Sequence, residues 1–149
     1  MAGNGASLLI AAATLNAVAA LLHVGVVLGG PDWYRWFGAG EGMARLAAQG
    51  SAYPALVTLG IALVLATWAA YALAGAGVLA RLPLLQTVLV AVTAIYLIRG
   101  VAGFALAVLA PGGNSPAFWV WSSTICLAIG AVHAAGVWLA WPLPAAPRP

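Results

Sequence analysis

The chain has 149 residues, of which 65% are hydrophobic and only 5% are charged, and its formal net charge is +3. A soluble domain carries about a quarter charged residues, so this composition excludes a water-exposed surface over most of the protein. The few arginines form no basic cluster, which excludes a nucleic-acid footprint. The single cysteine excludes an intrachain disulfide and a metal site built from several thiolates of one chain. The length fits one domain, residues 1–149, embedded in a membrane.

Four apolar segments are long enough to cross a bilayer, which takes about 20 residues in a helix. These predicted spans are residues 7–28, 52–73, 83–110 and 116–140. The first is predicted to stop at Gly29-Gly30-Pro31, and the third before Pro111. Ser51 and Ser115 are predicted N-caps of the second and fourth spans.

The first connection, residues 30–50, is the longest, and it contains both acidic residues, Asp32 and Glu41, and several aromatic residues. This composition suits a membrane interface, and we expect a short surface helix over residues 42–49. The other two connections are short, so consecutive spans should be antiparallel neighbours. The predicted fold class is therefore an all-α membrane protein: a four-transmembrane antiparallel helix bundle with a short interfacial helix in the first loop.

All five basic residues are arginine, and alanine, glycine and proline are abundant, which is typical of a GC-rich bacterial coding sequence. We therefore expect the inner membrane of a bacterium. The arginines are balanced between the two sides of the bundle, and the N-terminal amine tips the prediction toward cytoplasmic termini.

Polar and small residues recur at intervals of seven on every span, which predicts a partly polar stripe facing the bundle interior. The residues of this stripe are Asn16, His23, Gly60, Thr67, Gln86, Thr93, Gly100, Cys126 and His133.

Ionisable side chains within spans are costly, and each is a site candidate. Here they are His23, Arg99 and His133. The two histidines should differ in height by roughly 15 Å, whereas two nitrogens on one metal ion lie about 4 Å apart. We therefore predict no metal site within one chain, and we expect His133 to be a packing residue hydrogen-bonded by Asn16 or a nearby threonine.

Arg99 needs an anionic partner or a wet cavity, and the flexible glycines around Glu41 could return that carboxylate to the bundle mouth. The hypothesis is a Glu41–Arg99 pair beneath the first loop, with His23 nearby, which either lines a ligand pocket or only pins the loop. The residues predicted to bind a ligand are His23, Glu41, Tyr53, Tyr96, Arg99 and Ser122.

No catalytic, nucleotide or cofactor motif is present, so the sequence identifies no cofactor. In length and span count the chain is similar to DoxX-like and other small four-span bacterial proteins, but no motif assigns it to one of them. The first interpretation is a binding or accessory protein that holds a lipid-like or apolar small molecule near the 30–50 loop. The alternatives are an intramembrane enzyme, with His23 or Glu41 as acid–base and Arg99 holding an anion, and an oligomeric transporter or channel subunit. The expected partners are membrane lipid, a small apolar ligand, and further copies of the chain or a larger membrane complex.

Overall fold

The computed structural model describes residues 2–109 and 114–141, and this part of the chain is helical, without a strand. The helices are α1 (Ala2–Trp36), α2 (Glu41–Ala48), α3 (Tyr53–Gly75), α4 (Leu85–Leu109) and α5 (Pro116–Ala140). Four of them, α1, α3, α4 and α5, are long and apolar enough to cross a membrane. The predicted four-helix membrane bundle, with a short helix in the first loop, is confirmed.

The predicted stop of the first span at residues 29–31 is confirmed as a break in the helix, because α1 consists of two helical segments joined by a kink at Gly30, and the second segment runs to Trp36. Gly30 has φ 69° and ψ −152°, a conformation that costs glycine little. Pro31 then sits at the start of the second segment, where its missing N–H costs no helical hydrogen bond. The ring of Trp33 returns onto Gly29, where a Cβ atom would collide with it. The glycine–proline pair therefore redirects the helix toward the loop.

The other helix ends lie close to their predicted positions. The Ser115 hydroxyl accepts a hydrogen bond from the backbone N–H of Phe118 at 3.1 Å, which confirms the predicted cap of α5. The N-cap of α3 is Ala52 rather than Ser51, although the Ser51 hydroxyl accepts from the N–H of Tyr53 at 3.3 Å. The predicted end of the third span at Pro111 lies outside the described residues.

Neighbouring spans pack in the order α3, α1, α5, α4, and α3 and α4 make the least extensive contact of the ring. A Cβ atom on Gly5, near the start of α1, would lie 2.7 Å from the backbone nitrogen of Ala140 at the end of α5. Gly136 likewise lies against Leu9. These contacts make α1 and α5 antiparallel, and small residues allow their close approach.

Buried side chains form three groups along the bundle. The group nearest the termini includes Leu9, Ala72 and Leu89. The middle group is Ala20, Leu65, Val92, Tyr96 and Ile129. The third group, Val26, Tyr34 and Ala44, joins the end of α1 to α2 beneath the loop.

The predicted polar stripe is correct where α1 and α5 meet and wrong on α3. Asn16 and His133 are buried, but Gly60 and Thr67 on α3 are exposed. The Thr67 hydroxyl donates to the carbonyl of Leu63 in its own helix at 2.9 Å. Because the hydroxyl is satisfied within the helix, threonine needs no partner inside the bundle. The interior face of α3 is instead formed by Thr58, Ala62, Leu65, Ala69 and Ala72.

Candidate functional site

A polar network of three side chains crosses the middle of the bundle. The Tyr96 hydroxyl on α4 donates to Oδ1 of Asn16 on α1 at 2.7 Å. Nδ2 of Asn16 lies 2.8 Å from Nε2 of His133 on α5. The rings of Tyr96 and His133 stack with centroids 5.8 Å apart. All three residues are buried, so the network joins three spans where water is scarce, and it confirms the predicted partner of His133.

The orientation of the Asn16 amide decides the state of His133. Nδ2 also donates to the carbonyl of Ala12 at 2.9 Å, and that oxygen can only accept. The reversed amide would place two acceptors face to face, so Nδ2 must be the atom that also faces His133. Nε2 of His133 is therefore an acceptor, and the ring proton lies on Nδ1. Within the described residues, Nδ1 has no hydrogen-bond partner.

A cleft of about 500 Å³ opens between α3 and α4, at the seam where these spans pack least. Its walls are mostly apolar side chains of α3, and one residue each of α1 and α5 lies at its base. The lining residues are His23, Val57, Gly60, Ile61, Val64, Leu65, Trp68, Ile95, Tyr96, Arg99 and Cys126.

The two ends of this cleft differ. Toward the termini, Trp68 and Tyr96 close the seam edge to face, with ring centroids 5.4 Å apart. Toward the loop, His23, Val57 and Ile61 also line a second chamber of about 320 Å³ beneath the turn that precedes α2. The two spaces therefore adjoin along α3, from the loop to the level of the polar network.

Arg99 and His23 are the basic groups that line the cleft. Nη2 of Arg99 donates to the Ser122 hydroxyl at 3.4 Å, and its guanidinium lies 5.1 Å from the centroid of the Trp119 ring. Nδ1 of His23 lies 2.7 Å from the carbonyl of Ala19 and must donate to it, so in the neutral ring Nε2 is the acceptor. Arg99 thus supplies a fixed positive charge, and His23 supplies an acceptor nitrogen.

The predicted Glu41–Arg99 pair is absent, because Glu41 binds Arg35 instead. Nε and Nη2 of Arg35 donate to the two carboxylate oxygens of Glu41 at 2.8 and 3.0 Å, and Nη1 donates to Asp32 at 2.9 Å. These groups are exposed at the rim, where the end of α1 and the start of α2 bring them within reach. The Arg35 guanidinium lowers the pKa of the Glu41 carboxyl.

Of the six residues predicted to bind a ligand, His23, Tyr96 and Arg99 line the cleft, and Ser122 contacts Arg99. Tyr53, which is 58% exposed at the start of α3, and Glu41 are not among its lining residues.

The residues predicted to bind a ligand do not include Trp119, Ser123 and Cys126, which lie near Arg99. Cys126, which was predicted to belong to the inward polar stripe, is half-buried and lines the cleft. Ser123 is fully buried one turn earlier on α5. The helical spacing of Trp119, Ser122 and Cys126 is the signal that could have placed them on one face toward Arg99.

Comparison with protein-family models, curated proteins and solved structures finds no match for this chain. Its function must therefore be inferred from the chemistry of the cleft. Across residues 2–109 and 114–141, no three His, Cys, Asp or Glu side chains gather as a metal site would require. His23 lies two turns along α1, roughly 10 Å, from the Asn16 that binds His133.

Proposed function

We propose that this chain is a membrane-embedded binding protein that holds one amphipathic, lipid-like molecule in the cleft between α3 and α4. One observation carries the proposal: an apolar cleft in the membrane-spanning region is lined at one side by Arg99, whose charge has no acidic side chain beside it. Apolar walls with a few convergent polar groups are the usual composition of a small-molecule site.

The size and position of the cleft support this occupant. Its volume of about 500 Å³ falls within the range of small-molecule sites. The cleft opens sideways, between spans whose outer faces would meet lipid. A ligand dissolved in the bilayer could enter without crossing the polar interface. The walls would take its apolar part, and Arg99 and His23 would take its polar part.

Binding is better supported than acid–base catalysis. The enzyme interpretation requires Glu41 or His23 to act close to Arg99, but the Glu41 carboxylate is engaged by Arg35 at the exposed rim. The cleft retains groups that orient a ligand and lacks the carboxylate of the suggested pair. We further propose the bacterial inner membrane as the location, with cytoplasmic termini, on the basis of composition and charge balance.

Filling the cleft tests this function. A Cβ atom on Gly60 would meet no atom within 4 Å, so Gly60→Leu should place an apolar side chain in the cleft without a clash at its first atom. Ala66→Leu adds a matched side chain at an exposed position of α3 that does not line the cleft. The measurement is mass spectrometry of the lipid-like molecules that co-purify with each variant.

We expect wild type and Ala66→Leu to retain the same molecule in near-stoichiometric amount, and Gly60→Leu to lose most of it. Alkylation of Cys126, the only cysteine, provides a second measure, because an occupied cleft should slow its reaction with N-ethylmaleimide. Identical molecules and identical alkylation rates in all three proteins would refute the proposal.

A further inference from the structure

Arg99 carries a permanent charge deep in a span without an acidic side chain to balance it. It lies ten residues before Leu109, the last residue of α4, which corresponds to roughly 15 Å along the helix. The sequence contains two acidic side chains, and both bind Arg35 at the rim. An arginine at such depth is expected to face an anion or a wet cavity.

A second observation lies beside the first. Nη1 of Arg99 and Oγ of Ser123 are both buried, and neither has a hydrogen-bond partner among the described residues. Both atoms approach Gly103, where an added Cβ atom would collide with each of them. Unpartnered polar groups are expensive inside a membrane protein, so the pair favours a further polar partner for the Arg99 guanidinium; Arg99 lines the cleft, whereas Ser123 and Gly103 do not.

From these two observations we infer that the molecule bound in the cleft has an anionic head group, a phosphate or a carboxylate, held at the level of Arg99. This inference rests on the proposed function and adds the chemistry of the ligand. The charge of Arg99 attracts the anion, and the Ser122 hydroxyl, which accepts from Nη2 of Arg99 and donates to the carbonyl of Trp119, holds the guanidinium in place.

The shape of the cleft orients the rest of the molecule. Below Arg99, Val64 and Leu65 form about one helical turn of apolar wall before Trp68 and Tyr96 close the seam, so this part of the cleft takes only the first part of an alkyl chain. Above it, the adjoining chamber of about 320 Å³ gives room for a head group larger than a bare phosphate. The head therefore points toward the loop, and the rest of the chain leaves through the open side of the cleft toward lipid.

The test compares ligands that share one chain and differ in the head. Dodecyl phosphate, dodecanol and inorganic phosphate are titrated into the full-length protein in neutral maltoside micelles. Bound molecules are counted by native mass spectrometry, and protection of Cys126 from N-ethylmaleimide locates them. We expect dodecyl phosphate to bind at least about tenfold more tightly than dodecanol, because bonds to charged groups are the stronger ones.

Two variants of equal net charge show whether the preference for dodecyl phosphate over dodecanol depends on Arg99. Arg99→Gln should bind dodecyl phosphate and dodecanol alike, whereas Arg81→Gln, at an exposed position between α3 and α4, should keep the wild-type preference. Loss of the preference in both variants would attribute it to net charge and overturn the inference. If Arg99→Gln does not fold, the comparison of dodecyl phosphate with dodecanol on wild type still decides whether the head group is anionic.

The outcomes separate the inference from the proposed function. Equal binding of dodecyl phosphate and dodecanol by wild type, with equal protection of Cys126, would overturn the anionic head and leave the amphiphile-binding cleft intact. Binding of neither amphiphile would refute both. Inorganic phosphate that binds as tightly as dodecyl phosphate would show a site for a free anion and overturn the role of the chain.

Discussion

Replacement of Asn16 by leucine tests the polar network that joins α1, α4 and α5. Leucine has nearly the same shape as asparagine but neither donates nor accepts. Asn16→Leu would remove the bond from Tyr96 and the bond to His133, and would leave two polar side chains in the bundle without their partner. The buried position of all three residues means that water could not easily replace what is lost.

The expected loss follows from the two bonds and the groups they leave behind. Interhelical hydrogen bonds in membrane proteins average about 0.6 kcal/mol each, so their removal alone costs about 1 kcal/mol. A buried polar group left unpaired costs about 1–3 kcal/mol. The Tyr96 hydroxyl and the His133 ring would both be left unpaired but could partly relax, so the expected decrease in the free energy of unfolding for Asn16→Leu is about 2–4 kcal/mol.

The assay is reversible unfolding of the purified protein in mixed micelles by added SDS, followed by far-UV circular dichroism. Thr14→Val is the matched control, because its exposed hydroxyl bonds only to the carbonyl of Ile10 in the same helix. In a double-mutant cycle, Asn16→Leu with Tyr96→Phe should cost less than the sum of the two by about 0.6–1.7 kcal/mol. A loss no greater than that of Thr14→Val, or strict additivity in the cycle, would refute the network as an energetic unit.

Three further outcomes are expected. Gly103→Ala should lower the free energy of unfolding, measured by the same SDS titration, by about 1–3 kcal/mol, because the added methyl group would collide with neighbouring side chains. Gly60 faces open space, so the free energy of unfolding of Gly60→Ala should equal or slightly exceed that of wild type. Similar losses of stability in Gly103→Ala and Gly60→Ala would contradict this packing. Glu41→Gln should leave the Tm at pH 7 nearly unchanged, because the ion pair is exposed. The pKa of the Glu41 carboxyl is lowered in the folded protein. Its small contribution to stability is therefore present above the usual pKa of 4.5 and is lost as the pH falls through the folded pKa. In a series of thermal melts at different pH, only wild type should show that loss of stability. In a protein without the native cysteine, Gln49→Cys and Ala80→Cys should react with a membrane-impermeant maleimide from opposite sides of the membrane. Ala80→Cys should react from the cytoplasmic side. Labelling of both positions from one side would contradict the four-span topology.

Sequence reasoning predicted part of the site and missed the partners that complete it. The ionisable residues of the spans, His23 and Arg99, were recognisable because a charge in an apolar helix stands out in the sequence. The Glu41–Arg99 pair failed because Arg35, six residues before Glu41, binds the carboxylate at the rim. Local geometry at the bend of α1 decided that choice, and sequence spacing alone did not reveal it.

The apolar pattern determined that this is a four-span helical protein, because a bilayer accepts only segments that satisfy their own backbone hydrogen bonds. Helix ends also followed from local chemistry, as at Ser115. Tertiary structure decided which faces look inward: Thr67 is satisfied by its own helix and faces out, whereas Asn16 reaches two other spans. It also decided that α3 and α4 diverge enough to leave a cleft beside Arg99, since the distance between two helices depends on how all four pack.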